Sequence, residues 1–180
     1  MKRTKDELKL LQNLPLEIKV AKTKIRIREW VEHYGTEGVY VSFSGGKDST
    51  VLMHLVREMY PNVEGVFVNT GLEYPEIQQF VKSFDNITIL RPKMRFDEVI
   101  KKYGYPLISK EVSECVNQGR KSLERNDGKY TYRLKMLRGE ALDKNGNISM
   151  YNKAKYEPLL YTDFYISHNC CNVMKKTPVK

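Results

Sequence analysis

Residues 39–56 dictate a strand, a tight glycine turn and a helix in immediate succession. Val39-Tyr40-Val41-Ser42-Phe43 is an apolar, strand-like run, and Ser44-Gly45-Gly46-Lys47-Asp48-Ser49 is a turn with two glycines. Thr50-Val51-Leu52-Met53-His54-Leu55-Val56 then follows with helical spacing. A loop between a strand and a helix N-terminus collects backbone N–H groups that lack intrahelical partners, and the helix adds partial positive charge there. Gly45 and Gly46 allow the backbone to approach an anion closely. Ser44, Ser49 and Thr50 supply hydroxyls, and Lys47 supplies a mobile positive charge. The chemistry suits phosphate, pyrophosphate or sulfate. The loop is not a P-loop: Val41 stands where that pattern needs its first glycine, and Asp48 where it needs Ser or Thr.

Further apolar runs alternate with helical patterns. Strands are expected at 63–68 and 87–90, and helices at 49–60, 75–84 and 96–103. That alternation predicts an α/β fold: a doubly wound, mostly parallel sheet covered by helices. Residues 5–34 read as helix, broken at Pro15, with Leu16, Val20, Ile27, Trp30, Val31 and Tyr34 sharing an apolar stripe. Beyond Pro106 the chain reads as a helical C-terminal portion. Helices are expected at 110–125 and 130–142, with turns at 126–128 and 143–147. The aromatic-rich run 156–166 is compatible with more than one element type. We therefore expect one nucleotide-binding domain, with an N-terminal helical segment 1–35, a βαβ core 36–108 and a basic helical extension 109–180.

The net charge of +9 is concentrated in two places. Residues 1–30 hold nine Lys or Arg against four acids, and residues 110–144 nine against six. Such an excess favours anionic partners, nucleotides first and nucleic acid second. Arg120, Lys121, Arg125, Lys129, Arg133, Lys135 and Arg138 alternate with Tyr130 and Tyr132. This stretch reads either as a nucleic-acid track or as a solvated helical hairpin. No apolar run reaches the ~18 residues of a membrane span, and no secretory leader is visible after the charged start. Three cysteines make no disulfide framework, so a cytoplasmic setting is expected.

The second expected strand ends in Asn69-Thr70-Gly71-Leu72-Glu73-Tyr74-Pro75-Glu76. Ligands of parallel sheets sit at the carboxyl ends of strands, so Asn69, Thr70 and Gly71 are candidates for contact with an adenosine. Near the other end of the chain lies Cys170-Cys171-x-x-x-Lys175-x-x-Pro178. Ser42 to Leu52, Asn69 to Glu76 and this last string occur in an order that resembles the phosphoadenosine phosphosulfate (PAPS) reductase family. The first string also resembles the SGGxDS loop of the adenine-nucleotide α-hydrolase (PP-loop pyrophosphatase) superfamily. The resemblance implies an ATP, adenylyl sulfate or PAPS ligand, with Mg2+ if ATP is used. Ser42, Ser44, Gly45, Gly46, Lys47, Asp48, Ser49 and Thr50 would then hold the sulfate or phosphate end. Lys47 and Asp48 would act closest to the chemistry, Asp48 near a magnesium-pyrophosphate end or as a cap of the following helix.

The resemblance also implies a thioredoxin-like thiol reductant for the reductase branch. Reductases of this family have a further segment with an arginine-bearing loop and a C-terminal attacking cysteine. Nothing follows Lys180 in this sequence, so residues 1–180 by themselves are expected to bind nucleotide without releasing sulfite. Adenylyl sulfate reductases hold a four-iron cluster with a Cys-Cys pair and a downstream Cys-x-x-Cys. Only Cys115 accompanies Cys170 and Cys171 here, so an iron–sulfur cluster is not expected from this chain by itself. His168 with Cys115, Cys170 and Cys171 forms a second metal candidate, for zinc, although the spacing fits no standard zinc pattern. Two rival functions stand beside sulfonucleotide reduction. One is an ATP-dependent sulfur-transfer or nucleic-acid-modifying enzyme, and the other a non-catalytic nucleotide-binding module.

Overall fold

A computed structural model describes residues 4–125 and 130–179. The chain divides into two compact units. The first comprises residues up to Asn69 together with Glu73–Leu90, and the second comprises Thr70–Leu72 together with the residues from Arg91 onward. The expected turn at 126–128 and Lys129 lie outside the described residues.

The first unit begins with two helices, α1 (Lys5–Gln12) and α2 (Leu16–Tyr34), with the break at Pro15 that the sequence predicts. Three parallel strands follow with their crossover helices. They are β1 (Tyr40–Ser42), α3 (Lys47–Met59), β2 (Glu64–Val68), α4 (Pro75–Lys82) and β3 (Ile87–Leu90). The sheet order is β1-β2-β3, with Val41 opposite Gly65 and Val66 opposite Thr88. This parallel sheet with its helices is the α/β architecture expected.

Val41, Phe43, Met53, Val56, Val63, Phe67 and Val81 form the core of this unit, with Ile27 and Val31 from α2. Gly65 sits in mid-strand because a Cβ there would collide with Met53 and Ile87 side chains. Phe84 fills the end of this core, its ring centroid 4.9 Å from that of Phe43 and 5.0 Å from that of Phe80.

The apolar stripe of the N-terminal helix is narrower than expected. Ile27 and Val31 are buried and Val20 packs beside them, while Leu16, Trp30 and Tyr34 are 70%, 60% and 50% exposed. Residues 27 and 31 are one turn apart and face the sheet. Trp30 and Tyr34 form a neighbouring ridge of their own, with centroids 4.7 Å apart.

The second unit contains α5 (Phe96–Tyr103), α6 (Lys110–Glu124), α7 (Tyr132–Arg138) and a 3-10 segment, Ala154–Tyr161. It is the helical C-terminal portion anticipated. The helix expected at 130–142 is shortened to α7 at both ends. The Thr131 side chain caps it by accepting from Leu134 N, and Gly139 stops it in the left-handed conformation, φ 76. The run 156–166 resolves into the end of the 3-10 segment, which carries Pro158, and a single parallel bridge between Ile166 and Tyr105. The core here is Val112, Cys115, Val116, Leu134, Leu137, Leu160 and Ile166. Among the described residues no helix is long and apolar enough to cross a membrane.

Candidate functional site

The glycine turn follows β1 and feeds α3 directly, as its sequence requires. Gly46 is the N-cap of α3 and makes no side-chain cap hydrogen bond. The first-turn N–H groups of this helix therefore receive no side-chain acceptor from the cap residue. Asp48 does not cap the helix, contrary to one of its two expected roles. It is the second helical residue, exposed, one place after Lys47. The helix starts two residues before the expected Ser49 because Gly46, with extended backbone at φ −85 and ψ 167, already has N-cap geometry.

The hydroxyls of the turn brace it. Ser49 Oγ donates to Gly46 O at 3.0 Å, and Thr50 Oγ1 donates to the same oxygen at 2.9 Å. Ser49 Oγ also accepts from Ser44 N at 3.2 Å and lies 3.0 Å from Ser44 Oγ. Ser49 spends its one proton on Gly46, so Ser44 is the donor of that last pair. Ser44 Oγ in turn accepts from Gly46 N at 3.4 Å. A closed cycle of polar contacts, 2.9–3.4 Å long, braces the turn.

Gly45 has φ 72, and a Cβ at this position would stand 2.9 Å from Ile77 Cγ2 and 3.1 Å from Val81 Cγ2. The turn is thus seated on α4, and any side chain at this position is strained and must displace Ile77 and Val81. Lys47 is exposed, as a cation that meets a solvated anion must be. Ser42, at the end of β1, is also exposed. It borders a cavity of about 800 Å3 whose walls include Trp30, Tyr34, Tyr40 and Val56.

The carboxyl end of β2 carries the second group of predicted residues. Asn69 N donates to Leu90 O at 2.9 Å, which ties this residue to the end of β3. Its side-chain Nδ2 donates to Gln78 Oε1 at 3.0 Å, and Gln78 Nε2 donates to Glu73 O at 3.2 Å. Gln78 was not foreseen, and neither was the seat made by Ile77 and Val81. Nothing in the spacing of a short helix that starts with Pro75 marks Gln78 as a partner of Asn69. Thr70 and Gly71 follow directly in the chain and belong to the second unit. Thr70 is buried and its Oγ1 accepts from Leu72 N at 3.3 Å. Gly71 has φ 81, and a Cβ there would meet nothing within 4 Å.

The basic stretch of the second unit is largely committed to its own fold. Arg120 donates to Phe164 O at 2.9 Å, Leu159 O at 2.7 Å and Thr162 O at 2.8 Å. Arg133 pairs with Glu114 at 3.4 Å, and Arg138 stacks on Tyr130 at 4.6 Å from the ring centroid. A hydrogen bond that Arg138 donates to Tyr130 holds the Arg138 pKa above its ordinary value.

Cys115 is fully buried, and burial pushes its thiol pKa up despite the nearby Arg133. Cys170 and Cys171 are half-buried at the start of an irregular helix. Among the described residues no three His, Cys, Asp or Glu side chains come together as a metal site, so the zinc set of Cys115, His168, Cys170 and Cys171 is not assembled.

An uncharacterized protein of Methanocaldococcus jannaschii is 31% identical over 113 residues, covering 59% of this chain and 25% of that protein. A probable FAD synthase of Caenorhabditis elegans is 39% identical over 74 residues, covering 36% of this chain and 14% of the relative. An adenosine 5'-phosphosulfate reductase of Bacillus subtilis is 27% identical over 101 residues, covering 52% of this chain and 43% of the relative. The chain thus spans less than half the length of each of these relatives. The sequence profile of the phosphoadenosine phosphosulfate reductase domain matches residues 38–144, which include β1, the glycine turn, α4 and α6. On that match the chain belongs to the phosphoadenosine phosphosulfate reductase domain family.

Proposed function

We propose that residues 44–50 bind the anionic tail of an adenine nucleotide and that Asn69, with Thr70 and Gly71 after it, contacts the adenosine. The observation that carries this reading is the junction of Gly46 and α3: a helix start without a side-chain cap, in a pre-braced turn, next to an exposed lysine. The names of the relatives supply the adenine. One is a FAD synthase and another an adenosine 5'-phosphosulfate reductase, and both compounds join adenosine to a phosphate-based tail. The site would serve sulfonucleotide reduction or a related step of sulfur metabolism.

The physical role of the loop is charge stabilisation. As the bond to the tail breaks, negative charge grows on the departing phosphate or sulfur oxygens. N–H donors fixed in advance offset that charge without reorganising. Lys47 adds a charge-assisted bond that strengthens as charge develops. In the reductase version a thiol, delivered by a thioredoxin-like reductant or by the protein itself, attacks sulfur and the nucleotide leaves. In the ATP version an oxygen of the substrate attacks the α-phosphorus and pyrophosphate leaves. Asp48 favours this second version, because one carboxylate plus substrate phosphates is a common way of holding Mg2+.

Equilibrium dialysis tests the reading. ATP, adenylyl sulfate and PAPS are each offered to the protein, with inorganic pyrophosphate or adenosine as competitor. At least one nucleotide should bind and be displaced by pyrophosphate. If none binds, or if only adenosine displaces, the loop is not an anion site.

A further inference from the structure

Trp30 is the chain's only tryptophan, and it stands exposed in the first unit together with Tyr34, Tyr40 and Leu52. These four side chains border the cavity of about 800 Å3 that Ser42 also borders. Aromatic surface left in water is costly, and a concavity of this size walled by apolar and aromatic groups has the usual form of a small-molecule site. We propose that this cavity binds a flat, uncharged, fused-ring compound as a second ligand beside the anion loop.

The cavity is built on the core. Ile27, Val41 and Val56 line it and are themselves buried, so packing on their far side holds them in place. Its walls come from α2, β1 and α3, all within the first unit. The Tyr34 ring is held by two neighbours. Its centroid lies 4.7 Å from that of Trp30 and 4.4 Å from that of His33, whose ring is nearly perpendicular to it. Trp30, Tyr34 and His33 therefore form one packed wall and not three independent side chains.

The lining sets the class of ligand. Its two full charges, Arg26 and Glu29, are paired with each other at 2.7 Å. An ion entering the cavity would lose hydration against an apolar floor without gaining a free counter-charge. Aromatic walls favour flat π-faced partners, in offset or edge-to-face contact. The volume lies towards the upper end of ligand pockets, which suits a fused ring better than a single one. An added β-strand is the rival occupant, because β1 is the edge of the sheet. Yet β1 spans three residues, short of the usual length of about five or six, so such a strand would find few main-chain partners. Ser42 borders the cavity and Ser44 opens the braced turn, and two residues of chain span at most about 7 Å. A ring held in the cavity is thus a neighbour of whatever the turn binds. The inference goes beyond the anion reading and does not depend on it.

Titration calorimetry with 2-naphthol tests it. The comparison compounds are decahydro-2-naphthol, which has the same carbon skeleton but is not flat, and 2-naphthoate, which is flat but charged. 2-Naphthol should bind once per chain, about fivefold more tightly than the saturated compound, the worth of one aromatic contact. It should also bind more tightly than 2-naphthoate. Trp30→Leu keeps apolar bulk without a ring and should remove the preference for the flat compound, whereas Trp30→Phe should keep it. Trp30 is exposed, so both variants should melt with wild type. Saturating inorganic pyrophosphate should leave 2-naphthol binding in place.

No saturable binding of 2-naphthol, equal affinity for its saturated counterpart, or an unchanged preference in Trp30→Leu would each overturn the proposal. Tighter binding of 2-naphthoate, or displacement of 2-naphthol by pyrophosphate, would place the ring at the anion loop and overturn it as well. A chain that is dimeric in sedimentation and binds 2-naphthol only on dissociation would give the cavity to a second copy. The naphthol result decides the inference even where no nucleotide binds, so its failure and that of the anion reading are separable.

Discussion

Lys47 and Arg120 make the contrast between the two units concrete. Both are basic residues in sequence settings that suggest an anionic partner. Lys47 is exposed beside a helix start whose cap lacks a side-chain bond. Arg120 is turned inward onto the carbonyls of Phe164, Leu159 and Thr162. The first unit has a conventional apolar core beneath a regular parallel sheet. The second unit has long irregular stretches, such as 139–153 and 162–169, whose backbone oxygens need donors. Arg120 supplies three of them. Positive charge along the sequence therefore meets two fates: at Lys47 it stays exposed, and at Arg120, as at Arg57 of the first unit, whose Nη2 donates to Asn86 O at 2.8 Å, it is spent on the fold.

The largest effect should come from breaking that internal use. Arg120→Ala removes a charged donor from three carbonyls at once, and we expect a loss of about 3 kcal/mol in urea unfolding. Arg120→Lys should recover little of it, because a point charge cannot bridge three acceptors arranged for a planar fork. Stability unchanged in Arg120→Ala would erase the distinction between the units.

Next in size is Gly45→Ala. A left-handed φ costs an ordinary residue about 1–2 kcal/mol, and the added Cβ must push Ile77 and Val81 away. We expect a comparable loss of stability and a much larger proportional loss of pyrophosphate binding, because the turn that aims the donors is displaced. A variant that binds pyrophosphate normally would show that the seat on α4 is irrelevant.

A smaller, chemical difference separates the cysteines. Burial holds the Cys115 thiol above its ordinary pKa, so it stays protonated and shielded at neutral pH. Iodoacetamide at pH 7.5, followed by mass spectrometry, should label half-buried Cys170 and Cys171 first. Prior labelling of Cys115 would mean that the core of the second unit opens readily.

The smallest effect belongs to the surface pair Lys24–Glu58, 2.6 Å apart. The hydrogen bond from Lys24 lowers the Glu58 pKa. Any stabilisation is therefore present above the unfolded pKa and lost as pH falls through the lower, folded one. Both groups are accessible to solvent, so Glu58→Gln should leave the melting temperature unchanged at physiological salt. A clear shift would show that the first unit also relies on exposed ion pairs for its fold.

The same contrast explains what the sequence revealed. The first unit was legible because its periodicities are strong. Strand 87–90 and helix 75–82 have the expected starts, and the glycine turn announces its own geometry. Trp30 and Tyr34 misled, since an aromatic residue at helical spacing need not face the core when its neighbours Ile27 and Val31 already fill it. In the second unit α6 begins where its Ser109 cap lies, but the Arg120 clamp leaves no periodic trace. It joins residues some forty positions apart through backbone oxygens, which every residue carries and no side-chain pattern reveals. The Gln78–Asn69 bond was hidden for a related reason: a nine-residue separation across a loop has no standard period.

The central claim is that the turn at 44–50 is a preformed anion site in which Lys47 carries charge and not structure. Titration calorimetry of wild type and Lys47→Ala with ATP, beside thermal melts of both, tests it most directly. The account predicts that Lys47→Ala weakens ATP binding by about 1.5–3 kcal/mol, the range of a charge-assisted hydrogen bond, with the melting temperature unmoved. Equal affinities for ATP in the two proteins, or a weakened affinity that merely follows a lowered melting temperature, would contradict it.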